Sequence, residues 1–182
     1  MAIENLRARG ETDPLRHMRK APARGRETRE TESMVERFTE HARRTVFFAR
    51  YEASQFGSAY IAPHHLLLAL LREAKPLFGL WSLDRPEAVR SIRAEVETAF
   101  PPKVNWKPCE ELPLSEPGKR IFDYAIEEAQ HMGAFHIGTG HLLLGILREE
   151  NAPGAAARLH SRGLLLPVVR QKIAAGLDFL CN

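Results

Sequence analysis

Two histidines recur with their surroundings intact. "IAPHHLLLALLRE" begins at Ile61 and "IGTGHLLLGILRE" at Ile137, which puts His65 and His141 in the same register. An imidazole can bind a metal, move a proton, or accept a hydrogen bond from the backbone. A metal site needs three or four converging ligands, yet Cys109 and Cys181 fall in a proline-rich stretch and beside the C-terminus. Catalysis needs an orienting carboxylate and an activated nucleophile, and the chain has neither G-x-S-x-G nor a Cys/His signature. A structural role fits better: each histidine lies in the first turn of a short apolar helix, where it satisfies a backbone group. Duplication in register favours that role, because a copied unit must copy its packing and need not copy an active site.

Two further strings invite a chemical reading. "EEAQH" contains Glu128-x-x-His131, the spacing of di-iron bundles, but the matching place reads Glu52-Ala-Ser-Gln55. A surface helix face is expected there. "PLSEPGKR" (113–120) approximates the nucleotide-binding G-x-x-x-x-G-K-[ST], with Pro113 for the first glycine and Arg120 for the hydroxyl residue. No catalytic residue, metal or cofactor is expected.

The elements that carry these residues follow from periodicity. Phe38, Ala42, Val46, Ala49, Ala53 and Phe56 recur at helical spacing, with Thr39 as N-cap and Gly57 as stop. Pro63 opens a second, short helix, where a missing N–H costs nothing. Leu77, Leu80 and Trp81 fit a third segment. Pro86 starts a fourth helix with Val89, Ile92, Val96 and Phe100 on one face. "PPKVNWKPCEELP" (101–113) then interrupts everything, since its prolines cannot continue a helix.

An offset of 76 residues lays 38–73 on 114–149. Identical pairs include Glu40/Glu116, Arg44/Arg120, Glu52/Glu128, Gly57/Gly133, Ile61/Ile137, Arg72/Arg148 and Glu73/Glu149, besides the histidines and leucines 66–68/142–144. Ser115 is the second N-cap, Gly163 ends the seventh helix, and "PVVRQKIAAGLDFL" makes the last. The expected fold is all-α: two pseudo-symmetric four-helix repeats, 34–100 and 114–182, joined by the 101–113 linker and packed into one domain. Residues 1–33 lack apolar periodicity and read as a disordered tail.

Composition narrows the function. Hydrophobic content of 44% and charged content of 27% describe a soluble globule. No apolar run approaches the ~18 residues that span a membrane. The N-terminus lacks the apolar core of a secretory signal, and two cysteines make no disulfide framework, so a reducing cytoplasm is the default. The net charge is +3, and residues 1–33 hold eight basic and six acidic residues. Those acids offset the arginines and no aromatics interleave, which argues against nucleic acid.

The repeated "MVERFTEHARR…HHLLLALLRE" and "LPLSEPGKR…GTGHLLLGILRE" resemble the Clp N-terminal (Clp repeat) domain of ClpC-type AAA+ unfoldases over roughly 34–180. That resemblance implies a double helical repeat that receives substrates and adaptor proteins at the front of a ring-shaped ATPase. The chain stops where the ATPase would begin, so it resembles a stand-alone copy that binds but cannot pull. In the family the helix starts take up phosphoarginine-tagged chains and cyclic peptides. Here the matching residues are Phe38, Thr39 and Arg43, and Leu114, Ser115 and Lys119. Helix N-termini also attract anions by their free N–H groups and dipole. Ordinary capping with solvated charges accounts for the same residues, and the two readings stand level at this point. The family's G-T-E-H carries a glutamate that pairs with the phosphoarginine guanidinium. His64 and Gly140 replace both, so phosphoarginine recognition is expected to be weak or absent.

These points lead to an expected non-enzymatic module that binds peptide segments, adaptor proteins or Clp ATPase and protease subunits and so modulates proteolysis. A decoy that sequesters cyclic-peptide-like ligands is the second expectation. Nucleic-acid binding through the arginine-bearing tail is the third.

Overall fold

Thr39 and Ser115 begin the two long helices by the same device. The Thr39 hydroxyl accepts from the Ala42 N–H at 3.3 Å and the Ser115 hydroxyl from the Gly118 N–H at 3.1 Å, satisfying donors that a first turn leaves over. The computed structural model describes residues 36–103, 112–150 and 154–175. The tail expected at 1–33, Cys109, Trp106, Cys181 and the end of the last helix lie outside the described residues.

Among the described residues there are eight helices. The first copy holds α1 (Glu40–Gln55), α2 (Pro63–Glu73), α3 (Lys75–Gly79) and α4 (Pro86–Ala99). The second holds α5 (Glu116–His131), α6 (Thr139–Arg148), α7 (Ala155–His160) and α8 (Leu166–Ala174). The fold is all-α in two matching four-helix sets, as the offset of 76 predicts. Gly57, Gly133 and Gly163 have positive φ, and each is followed by a residue whose N–H returns to a carbonyl five residues back (Ser58 to Ala53, Ala134 to Ala129, Leu164 to Leu159). This is the stop that glycine permits at a helix end.

The core is built from the leucine helices. Leu66–Leu71 and Leu142–Leu144 are buried, joined by Ile92 and Val96 of α4 and by Val169 and Ile173 of α8. The copies are also tied by backbone. Ile61 donates to the Pro113 carbonyl at 2.8 Å and accepts from Ser115 N–H at 3.0 Å; Ile137 donates to the Arg37 carbonyl at 2.8 Å and accepts from Thr39 N–H at 3.0 Å. Each is a short parallel bridge, Ile61 to Leu114 and Phe38 to Ile137. Each long helix therefore starts against the isoleucine of the other copy. The described ends of the linker are pinned too, by Lys103 N–H on the Phe56 carbonyl and by buried Leu112.

Glu128 corrects an expectation. It is 0% exposed rather than on a surface face. Arg170 donates to both of its oxygens at 2.7 and 2.8 Å, and Arg148 adds a third bond at 3.2 Å. Burial of a carboxylate demands such pairing. His131 of the same motif is exposed.

Candidate functional site

The recurrent histidines act on the backbone. His65 Nδ1 accepts from the Ala62 N–H, and His141 Nδ1 from the Gly138 N–H, each at 3.0 Å. Neither Ala62 nor Gly138 has a side chain able to cap its own helix, so the imidazole three residues on supplies half of a capping box. With Nδ1 accepting, the His65 proton sits on Nε2, which is buried without a hydrogen-bond partner among the described residues. Phe56 meets the His65 ring edge-on, centroids 5.3 Å apart. Among the described residues no group of three or more His, Cys, Asp or Glu is placed to hold a metal ion.

His64 and Gly140, the positions where the resemblance places an acid, are both packed. The His64 ring stacks on Phe100 at 4.1 Å and 7°. Gly140 lies against Ile173, whose Cδ1 would stand 3.1 Å from an added Cβ. Burial, then the charge of Arg158, holds the His64 pKa down at about 4; burial, then the adjacent His64, holds that of His65 at about 3. The unfolded chain takes up protons near the usual imidazole value of 6.5 while the folded chain does not. Full stability is therefore present above that pH and is lost as pH falls from 6.5 through about 4. Thermal melts across that window are expected to show a falling midpoint, with a shallower fall in a His64→Phe variant.

The helix starts form the other cluster. Phe38 is a core residue, 4% exposed, with Phe122 edge-on at 5.7 Å. Leu114 and Ser115 are half-buried and Thr39 is buried. Arg43 and Lys119 are exposed and meet Glu40 and Glu116 of their own first turns, at 3.3 and 2.8 Å. An anion approaching either end meets a carboxylate already there. What remains accessible is a pair of mixed-charge ends, each beside an exposed aromatic. Tyr60, 55% exposed, precedes the Ile61 that bridges to Leu114. Phe135, 80% exposed, lies two residues before the Ile137 that bridges to Phe38. Sequence reading missed both: alternation in an extended stretch turns Tyr60 away from buried Ile61, but it puts Phe135 on the same side as Ile137 and gives no signal there.

A family model described as the Clp repeat (R) N-terminal domain matches residues 37–160. The chain belongs to the Clp repeat N-terminal domain family. Its relatives include the chloroplastic chaperone protein ClpC2 of Oryza sativa subsp. japonica, 35% identical over 137 residues, covering 75% of this chain and 15% of that protein. The chaperone protein ClpB of Oceanobacillus iheyensis is 31% identical over 141 residues, covering 77% and 17%. This Clp repeat chain thus spans about a sixth of the length of such relatives. Among solved structures, the N-terminal domain of ClpV1 ATPase from E. coli EAEC Sci1 T6SS aligns with TM-score 0.63 at 21% identity, covering 86% of this chain and 94% of that one. The N-terminal domain of ClpD from Arabidopsis thaliana aligns with TM-score 0.61 at 24% identity, covering 79% and 96%. A chain described as a peptide from the EAEC T6SS Sci1 SciI protein aligns with TM-score 0.63 at 18% identity, covering 83% and 95%. These three likenesses show the fold. No helix among the described residues is long and apolar enough to cross a membrane.

Proposed function

We propose that the chain is a non-enzymatic polypeptide-binding module of Clp-type protein remodelling, working in the cytoplasm. It presents its two helix starts to peptide segments, adaptor proteins or Clp ATPase and protease subunits, and so modulates substrate delivery. The observation that carries this reading is the pairing of the two helix starts. Each is fixed against the other copy by a backbone bridge and flanked by an exposed aromatic, Tyr60 or Phe135. Exposed aromatics beside mixed charge suit a peptide, which brings apolar side chains and both signs of charge. Membership of the Clp repeat family supports the same reading. Phosphoarginine lies outside it, since His64 and Gly140 are packed and neither supplies a carboxylate.

Capture from clarified cytoplasmic lysate tests the proposal. The wild-type chain is expected to retain Clp components. A variant carrying both Arg43→Glu and Lys119→Glu, at exposed positions that leave folding intact, is expected to retain about tenfold less, because reversed charge at an interface is strongly repulsive. Equal recovery by both proteins contradicts the proposed face.

A further inference from the structure

The two long helices differ in what they show to solvent. At the matched positions where α5 carries exposed Asp123 and Glu127, α1 carries Phe47 and Tyr51. Four residues apart, the two aromatics share one side of the helix, and they are 66% and 49% exposed. Phe48 adjoins them, edge-on to Phe47 with centroids 5.6 Å apart. The buried sides of the helices keep the same residues, Ala49 and Ala53 against Ala125 and Ala129, so packing does not call for the exchange. Single exposed apolar side chains are ordinary on a protein surface, whereas adjoining aromatics mark a contact. The exchange also leaves cations without partners. In the second copy Arg148 meets Glu127 at 2.6 Å and Glu128 at 3.2 Å. Its counterpart Arg72 has no carboxylate partner among the described residues and lies over the rings of Phe48, at 4.1 Å, and Tyr51, at 5.9 Å. Arg50, one turn on from Phe47, is exposed and makes no ion pair among the described residues either. The carboxylates on this side are already engaged: Glu40 by Arg43, Glu73 by Arg44, and Glu52 and Glu97 by Arg93.

We propose that this side of α1 binds an acidic segment of another polypeptide, whose apolar side chains cover Phe47 and Tyr51 while its carboxylates reach Arg50 and Arg72. The segment brings from outside the negative charge that Asp123 and Glu127 place on the second copy. A carboxylate matches the forked donors of a guanidinium, and arginine beside tyrosine and phenylalanine is the composition of contact centres between proteins. A nucleic acid also brings anions, but its bases stack on open rings, and the rings of Phe48 and Tyr51 are already turned to Arg72. The face begins a turn beyond Arg43 and belongs to the first copy alone. One segment therefore binds per chain, and its binding does not rest on the paired helix starts.

Titration of the full chain with the blocked peptide EDFEELDE, followed by ¹H–¹⁵N NMR, tests the proposal. Saturable shifts are expected over residues 47–51 and at the Arg50 and Arg72 side chains. Hexaglutamate, which lacks apolar groups, is expected to bind about tenfold more weakly, and the same peptide with every acid replaced by lysine not at all. Phe47→Asp combined with Tyr51→Glu installs what the second copy carries at matching exposed positions, so the fold is kept. That variant is expected to lose about tenfold or more in affinity. Arg50→Glu, at an exposed position, is expected to lose as much through charge reversal. The proposal is overturned if wild type shows no saturable shifts at 47–51, if hexaglutamate or the lysine peptide binds as tightly, or if both variants bind like wild type. It is equally overturned if oligothymidylate binds the same residues more tightly than the peptide. Sedimentation of the free chain gives the last outcome: a wild-type dimer that the double variant makes monomeric assigns the face to a second copy instead. The double variant leaves residues 115–119 and Phe135 untouched, so failure here and failure of the helix-start face are told apart.

Discussion

Glu128→Gln is expected to cost about 3 kcal/mol of folding stability, the lower end for breaking a buried ion pair, whereas Glu52→Gln costs about 1 kcal/mol. The residues are matched in sequence and in burial, so burial alone predicts equal losses. Hydrogen bonding separates them. Glutamine at 128 keeps one acceptor for two guanidinia, Arg170 loses its counter-charge, and Arg148 keeps Glu127 alone. Glutamine at 52 keeps an acceptor for Arg93, the single donor, and removes a charge whose second oxygen has no donor among the described residues. The Arg170 hydrogen bonds, then its charge and that of Arg148, hold the Glu128 carboxyl below the usual carboxylate range despite burial. Its contribution is therefore present above the ordinary carboxylate pKa and is lost as pH falls through the folded-state value. Urea unfolding followed by circular dichroism measures both variants, and equal losses at neutral pH count against this account of the pair.

The second large effect is expected at Gly145. An added Cβ there would overlap the Ile121 carbonyl oxygen and stand 3.3 Å from the Ala125 backbone nitrogen. Those atoms belong to α5, the partner against which α6 packs, and a backbone cannot step aside as a side chain can. Gly145→Ala is expected to destabilise by about 2–3 kcal/mol, as overpacking does. Intrinsic helix preference alone pulls the other way by about 1 kcal/mol, so the sign is diagnostic. The first copy carries Ala69 at the matching place, fully buried and tolerated, so α1 and α2 accommodate a methyl group that α5 and α6 do not. A Gly145→Ala protein as stable as wild type, by the same urea titration, means that the α5–α6 contact is slack.

The offset of 76 made the architecture legible because its matched residues are the ones that packing needs. The leucines at 66–68 and 142–144 fill the core, and His65 and His141 close their own first turns. Arg44 and Glu73 form an ion pair that Arg120 and Glu149 repeat. Charge misled where burial was decided by distant partners. Glu128 reads as a surface residue by its charge, although its spacing from Ile121 and Ala125 puts it on the buried face, because nothing local announces Arg170, 42 residues on. The cross-ties through Ile61 and Ile137 were also invisible, since two paired residues carry no strand periodicity. The candidate face was half legible. Caps and cations read directly from Thr39, Ser115, Arg43 and Lys119, whereas Phe38 proved to be core and the exposed aromatics went unseen.

The capture experiment has a residue-resolved form, and it bears most directly on the claim that the paired helix starts receive polypeptide. ¹H–¹⁵N NMR spectra of the full chain are recorded while a permanently unfolded polypeptide, such as reduced and carboxymethylated α-lactalbumin, is titrated in. Shifts or broadening are expected at residues 39–43 and 115–119 and at Tyr60 and Phe135, and they are expected to vanish in the Arg43→Glu/Lys119→Glu variant. Perturbation confined to other surfaces, or none at saturating polypeptide, contradicts the account.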